Sequence, residues 1–209
     1  MDFFSILFGW LLGICGTLIL EYYRIIRKRN SIIKSLYVEL ENIHFIISNI
    51  IILIGLKLIK LDKELITRIE TSITSYKEGE NKIILSNRIQ KFKNKSDKEL
   101  KEFCISQYKG NISNEYKKYS LPLLSTYLNT LYILPDTTQQ LLSELYSKLE
   151  TVNQTIESHW YFFTKTFDQS LSEQDRIAVE NNLFSKDEIL FEQYKSLHNK
   201  ITDVLDQLG

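Results

Sequence analysis

The chain has 209 residues, of which 44% are hydrophobic, 12% aromatic and 25% charged. Lys and Arg number 26, Asp and Glu also 26, so no net charge draws the protein to nucleic acid, and none is expected as a partner. Seven Gly and two Pro are few for a turn-rich sandwich or barrel. Two cysteines, Cys15 and Cys104, supply neither a disulfide framework nor a cysteine zinc site.

The first element is the run Phe3 to Leu20, which carries no charge and is bounded by Asp2 and Glu21. As a helix it rises about 27 Å, close to the hydrocarbon thickness of a bilayer. A signal peptide has a basic start, a shorter apolar core and a small-residue cleavage site, none of which occurs here. Residues 1–20 are therefore expected to form a transmembrane helix. Arg24, Arg27, Lys28, Arg29 and Lys34 follow it, while only Asp2 and the terminal amine precede it. The positive-inside rule then puts the amino terminus outside and the bulk of the chain in the cytoplasm, a single-pass arrangement in the cell membrane. Residues 21–30 read as a basic juxtamembrane stalk. Within the span, Ser5, Gly9, Gly13 and Thr17 recur every four residues along one face. Small side chains there let two helix backbones approach, so this stripe is the candidate self-association surface and a homo-oligomer is expected.

The next apolar stretch, near 43–61, invites reading as a second span. His44, Ser48, Asn49, Lys57 and Lys60 interrupt it, however. It also continues a seam of 3 and 4 steps through Ile33, Leu36, Leu40, Ile43, Ile47, Ile50, Ile54, Leu58, Leu61 and Leu65, which a lipid-facing helix does not need. A central helix of a bundle is the better reading, and a two-span hairpin the alternative.

Asp62 to Lys77 is amphipathic through Leu65, Ile66, Ile69 and Ile73, and Gly79-Glu80-Asn81 should end it. Residues 80–96 are polar and Lys-rich and are expected to be mobile at least in part. Ser96-Asp97-Lys98-Glu99 is a capping box opening a helix that should end at Lys109-Gly110-Asn111. Pro122 sits in a first helical turn, and Leu134-Pro135 breaks that helix. A seam then runs through Leu142, Leu145, Leu149, Val152, Ile156, Trp160, Phe163 and Phe167, with Glu144 and Lys148 as an opposite-charge pair on its flank. Ser185-Lys186-Asp187-Glu188 reads as the start of the last helix, after a shorter one around Arg176–Phe184. No stretch alternates with period two. Residues 31–209 are accordingly predicted to be an all-α, cytoplasmic, antiparallel bundle of four to six helices with coiled-coil-like seams.

Charge is unevenly spread along this chain: residues 1–118 carry 20 basic and 13 acidic side chains, and residues 119–209 carry 6 and 13. Either the two halves complement each other within the fold, or the basic half faces anionic lipid. Catalytic patterns are missing. His44, His159 and His198 make no His-Glu-x-x-His or paired-His motif, there is no glycine-rich phosphate loop or Gly-x-Ser-x-Gly elbow, and the Arg-x4–6-His signature of small helical ribonucleases is absent. No enzyme activity, cofactor or metal is expected. His159, on an apolar seam, reads as a hydrogen-bonded residue at the core edge. Trp160, Tyr161, Phe162 and Phe163 put four rings in a row, covering more than one helix face, and form the candidate patch for a cytoplasmic protein partner. The functional expectation is a membrane-anchored, non-enzymatic protein that binds such a partner, self-associates through its span, or both. A bacterial membrane-disrupting effector of a toxin or anti-phage system is the alternative.

Overall fold

A computed structural model describes residues 3–74, 79–108 and 116–209, leaving aside the side chains of residues 4–6, 81, 107 and 108. The described residues are all-helical. Seven α-helices follow in order: α1 (Phe3–Lys57), α2 (Lys63–Thr74), α3 (Glu80–Lys93), α4 (Asp97–Tyr108), α5 (Pro122–Tyr127), α6 (Asp136–Lys165) and α7 (Glu173–Leu208). A 3-10 segment, Leu128–Ile133, joins α5 to α6.

The length of α1 follows from its sequence, since between Gly16 and Gly55 there is neither Gly nor Pro to interrupt it. At 55 residues it is about 82 Å long. Its two halves live in different surroundings. From Leu7 to Ile25 every side chain is exposed, whereas Leu36, Leu40, Ile47, Ile51, Ile52 and Ile54 are fully buried against other helices. The predicted seam is thus the core face of α1, although Ile33 and Ile50 are only partly buried and Ile32, Ile51 and Ile52 join it.

The seam also outlasts the helix. Leu58, Leu61 and Leu65 are buried, but α1 ends at Lys57. The Ile59 N–H donates to Leu56 O at 3.3 Å and the Lys60 N–H to Gly55 O at 2.8 Å, which is the Schellman pattern. Its left-handed position, where Gly is usual, is held by Ile59 with φ 56°. A β-branched residue there is strained by about 1–2 kcal/mol. Ile59→Gly is expected to raise stability by about 0.5–1 kcal/mol after the extra unfolded-state entropy of Gly is subtracted. Thermal unfolding checks this, and a lower Tm would mean that contacts of the Ile59 side chain outweigh its strain.

The other helix ends are set by named side chains. Asp62 Oδ1 accepts from Leu65 N at 2.7 Å and caps α2. Ser96 and Glu99 make the predicted capping box, with Ser96 N donating to Glu99 Oε2 at 2.7 Å and Glu99 N to Ser96 Oγ at 3.3 Å. For α5 the cap comes from another helix: both carboxylate oxygens of Glu39 in α1 accept from Leu123 N and Leu124 N, at 2.8 and 3.0 Å. Pro122 occupies the first turn of α5, as expected. The expected stop at Lys109-Gly110-Asn111 lies outside the described residues.

Three expectations need correction. Residues 80–93 are helical rather than irregular, because Leu85, Ile89 and Phe92, spaced by 4 and 3, are buried while Glu70 of α2 accepts from Gln90 and Lys93. Among the described residues the helix count therefore rises to seven. The last helix does not start at Ser185: α7 runs unbroken from Glu173, and its cap is Ser172, whose Oγ accepts from Asp175 N at 3.2 Å. Ser185-Lys186-Asp187-Glu188 has cap-like residues but lies mid-helix, and with no Gly or Pro between Glu173 and Leu208 nothing stops α7 there. Lastly, Glu144 pairs with Lys200 of α7 at 2.7 Å rather than with Lys148, which donates to Ser196 Oγ at 2.8 Å. These cross-helix bonds run in opposite sequence directions, so α6 and α7 are antiparallel.

Candidate functional site

Four features distinguish the described surface and interior. The first is the uncovered start of α1. Phe8, Trp10, Leu12, Leu18 and Leu20 are each more than half exposed, with Trp10 at 64%. A Cβ placed on Gly9, Gly13 or Gly16 meets nothing within 4 Å, so the small-residue face is open. Thr17 Oγ1 donates to Gly13 O at 2.9 Å, which satisfies its hydroxyl within the helix. Ser5 belongs to the same stripe by sequence, but its side chain is outside the described set. Just beyond, Arg24, Arg27, Lys28 and Arg29 are all exposed.

The second is a buried polar junction at the far end of α1. Asp187 of α7 is 1% exposed. Its Oδ2 lies 2.6 Å from Lys57 Nζ, and its Oδ1 accepts from the Tyr116 hydroxyl at 2.6 Å and lies 3.3 Å from His159 Nε2. Burial alone would raise the carboxyl pKa, but His159, Lys57 and Tyr116 together outweigh it and hold it below the usual range. One carboxylate thereby ties α1, α6, α7 and the segment before α5. That segment is docked further by Asn153, which accepts from Tyr119 N at 3.0 Å and donates to Tyr119 O at 2.8 Å. Lys118 adds an ion pair with Glu157.

The third feature is a pair of buried imidazoles. His44 of α1 and His198 of α7 are both essentially inaccessible, and their ring centroids are 4.0 Å apart. Burial, reinforced by the neighbouring His198, lowers the His44 pKa to about 2, and burial lowers that of His198 to about 4, opposed by a hydrogen bond with Asn199 and reinforced by Arg68. Ser72 Oγ lies 3.2 Å from His198 Nε2, beside an open cleft of about 520 Å³ lined by Arg68, Thr71, Asn199, Thr202 and Asp203. The contact resembles a nucleophile–base pair in composition only. The Ser72 hydroxyl donates to Ile69 O at 2.8 Å, so it is not free to give its proton to the ring, and an imidazole with so low a pKa is a weak base.

The fourth is an aromatic tip where α6 meets α7. Trp160 and Tyr161 are exposed, Phe162 and Phe163 partly buried, and Phe167 is 70% exposed. Phe163 stacks with Trp160 at 5.4 Å and meets Phe167 edge-on at 5.3 Å. The four predicted rings do cover more than one face, Phe167 extends the exposed apolar surface, and Ile177 and Phe184 of α7 are exposed as well. The tip lies beyond the Lys57–Asp187 contact, at the opposite end from Phe3.

Sequence reasoning placed His159 on the core edge, where it is 5% exposed, but did not bring His44 to His198 or Lys57 to Asp187. The available signal was phase: His44 adjoins Ile43 and His198 adjoins Leu197, each beside a seam position. Among the described residues no group of three or more His, Cys, Asp or Glu is placed to hold a metal ion. Cys104 is buried and unpaired, and Cys15 is exposed and unpaired.

Fold and surface together define a class: a helical protein in which one helix, α1, is long and apolar enough to cross a membrane. No protein-family model, curated protein or solved structure matches the chain.

Proposed function

We propose that this is a membrane-anchored, non-enzymatic helical protein. Phe3–Leu20 crosses the cell membrane with the amino terminus outside, residues 21–30 form the stalk, and residues 31–209 form a cytoplasmic antiparallel bundle. The bundle binds a cytoplasmic protein through the tip around Trp160, Tyr161, Phe162 and Phe163, and the span associates with copies of itself. The observation that carries this reading is the contrast within α1. Apolar side chains from Leu7 to Leu20 have no cover, while those from Ile43 to Leu56 are largely enclosed by the other helices. Leaving so much contiguous apolar surface in water is unfavourable by about 25 cal/mol per Å², and a bilayer removes that cost. The same burial argues against a second span near 43–61. A reporter active only in the cytoplasm, fused after Gly209, should give signal, and a periplasm-only reporter none; the reverse result would overturn the single-span topology.

The open face at Gly9, Gly13 and Thr17 favours self-association, and with it the second reading, a membrane-disrupting effector. Gly9→Ile with Gly13→Ile keeps the span apolar but blocks close approach of backbones. Crosslinked oligomers, and toxicity on expression if the protein is an effector, are expected to fall at least tenfold at unchanged membrane levels, as a loss of about 1.4 kcal/mol of association implies. Unchanged crosslinking would leave the span a passive anchor.

A further inference from the structure

Arg24, Arg27, Lys28 and Arg29 stand on the part of α1 that no other element covers. None of the four makes an ion pair or side-chain hydrogen bond among the described residues, whereas Lys57, Lys60, Lys93, Lys118 and Lys200 each hold a carboxylate on a different element of the fold. The positive excess of the first half of the chain is thus not consumed within the fold at this point. At about 100° per residue, Arg24, Arg27 and Lys28 fall on one side of the helix and Arg29 about 140° round from Arg24. A docked protein touches one side of a helix, while a leaflet surrounds it. The four cations lie roughly 6–14 Å beyond Leu20 along the axis, from the headgroup layer outward. Exposed Tyr22 and Tyr23 lie just short of that range and Ile25 within it, giving the mixed aromatic and apolar lining that suits the interface.

We propose that these four residues form a collar that binds the phosphate headgroups of anionic lipids, so that the anchor selects the lipid around it. The proposal rests on Phe3–Leu20 being a span. Because Cys15 is exposed and Cys104 buried, a thiol-reactive bimane can be placed on Cys15, about 8 Å inside the Leu20 end. The full chain is reconstituted in vesicles of equal phosphatidylcholine and phosphatidylglycerol, with brominated acyl chains on only one lipid at a time. Brominated phosphatidylglycerol is expected to quench the label at least about twofold more than brominated phosphatidylcholine, as clustered juxtamembrane cations should draw anionic lipid. That excess should vanish at 1 M salt, where the Debye length is about 3 Å. It should vanish likewise in the variant Arg24→Gln, Arg27→Gln, Lys28→Gln, Arg29→Gln. Equal quenching by the two lipids in the wild type overturns the collar while keeping the span, as does an excess that persists in the quadruple variant. Absence of quenching by either lipid puts Cys15 outside the bilayer and overturns both.

Discussion

Asp187→Ala is expected to destabilise the protein by about 3 kcal/mol, the low end of what breaking a buried ion pair costs. The substitution leaves Lys57, His159 and the Tyr116 hydroxyl without their shared acceptor at the meeting point of four segments. The low end applies because the Lys57 side chain is 22% exposed and its ammonium can turn toward water. Thermal unfolding of the full chain in detergent or nanodiscs measures the loss. Release of the Tyr116 anchor should also speed tryptic cleavage after Lys117 and Lys118, which a loss of helix packing elsewhere would not do selectively. Lys57→Met combined with Asp187→Leu removes both charges and should recover much of the stability, since apolar replacement of a buried pair is often near neutral. The penalty is also pH-dependent. A carboxyl whose folded pKa is depressed contributes stability that is complete above its unfolded value near 4 and is lost as pH falls through the folded value. Wild type and Asp187→Ala should therefore converge once the pH has fallen below the unfolded value and through the depressed folded one. A constant gap throughout that fall would show that the contacts of Asp187 do not depend on its charge.

Mild acid is expected to weaken the fold well before Asp187 is protonated. His44 and His198 stay neutral in the folded state, with pKa values near 2 and 4, while in the unfolded chain both titrate near 6.5. Below 6.5 the unfolded chain takes up protons that the folded one refuses, so stability is complete above that value and falls as pH drops toward 4, continuing for His44 to lower pH. With two such groups the loss between pH 7.5 and 5 is roughly 4 kcal/mol, or a Tm lower by about 10 °C. The surrounding charges do not offset this: Arg68 of α2 faces His198 and lowers its pKa further, and Ser72 contributes only a neutral hydroxyl. Either His→Leu substitution should halve the pH slope, and the double substitution should flatten it. A Tm that is level from pH 7.5 to 5 in the wild type would mean that the rings become protonated where they sit.

What could be read in advance was whatever depends on local order along the chain. The charge-free run at Phe3–Leu20, the absence of helix breakers between Gly16 and Gly55, the Ser96–Glu99 box and the Pro122 start are properties of neighbours in sequence, and their structures follow from helix geometry and backbone sterics. The small-residue stripe and the cation set are legible for the same reason, because a straight helix fixes which residues share a face. Local order misled at Ser185, where a cap-like tetrad is overridden by an unbroken helix, and at 80–93, where three well-spaced apolar residues were outweighed by the polar composition around them. The tertiary structure alone decided which polar side chains meet. Lys57 and Asp187 are 130 positions apart and His44 and His198 are 154 apart, and their pairing depends on α1 and α7 lying antiparallel at one register. Glu39 capping α5 across 84 positions is of the same kind. Helix periodicity says which way a residue faces but carries no term for what stands opposite. That is set by core packing, in which only one register buries the apolar faces of α1, α6 and α7 together while giving each enclosed charge its partner.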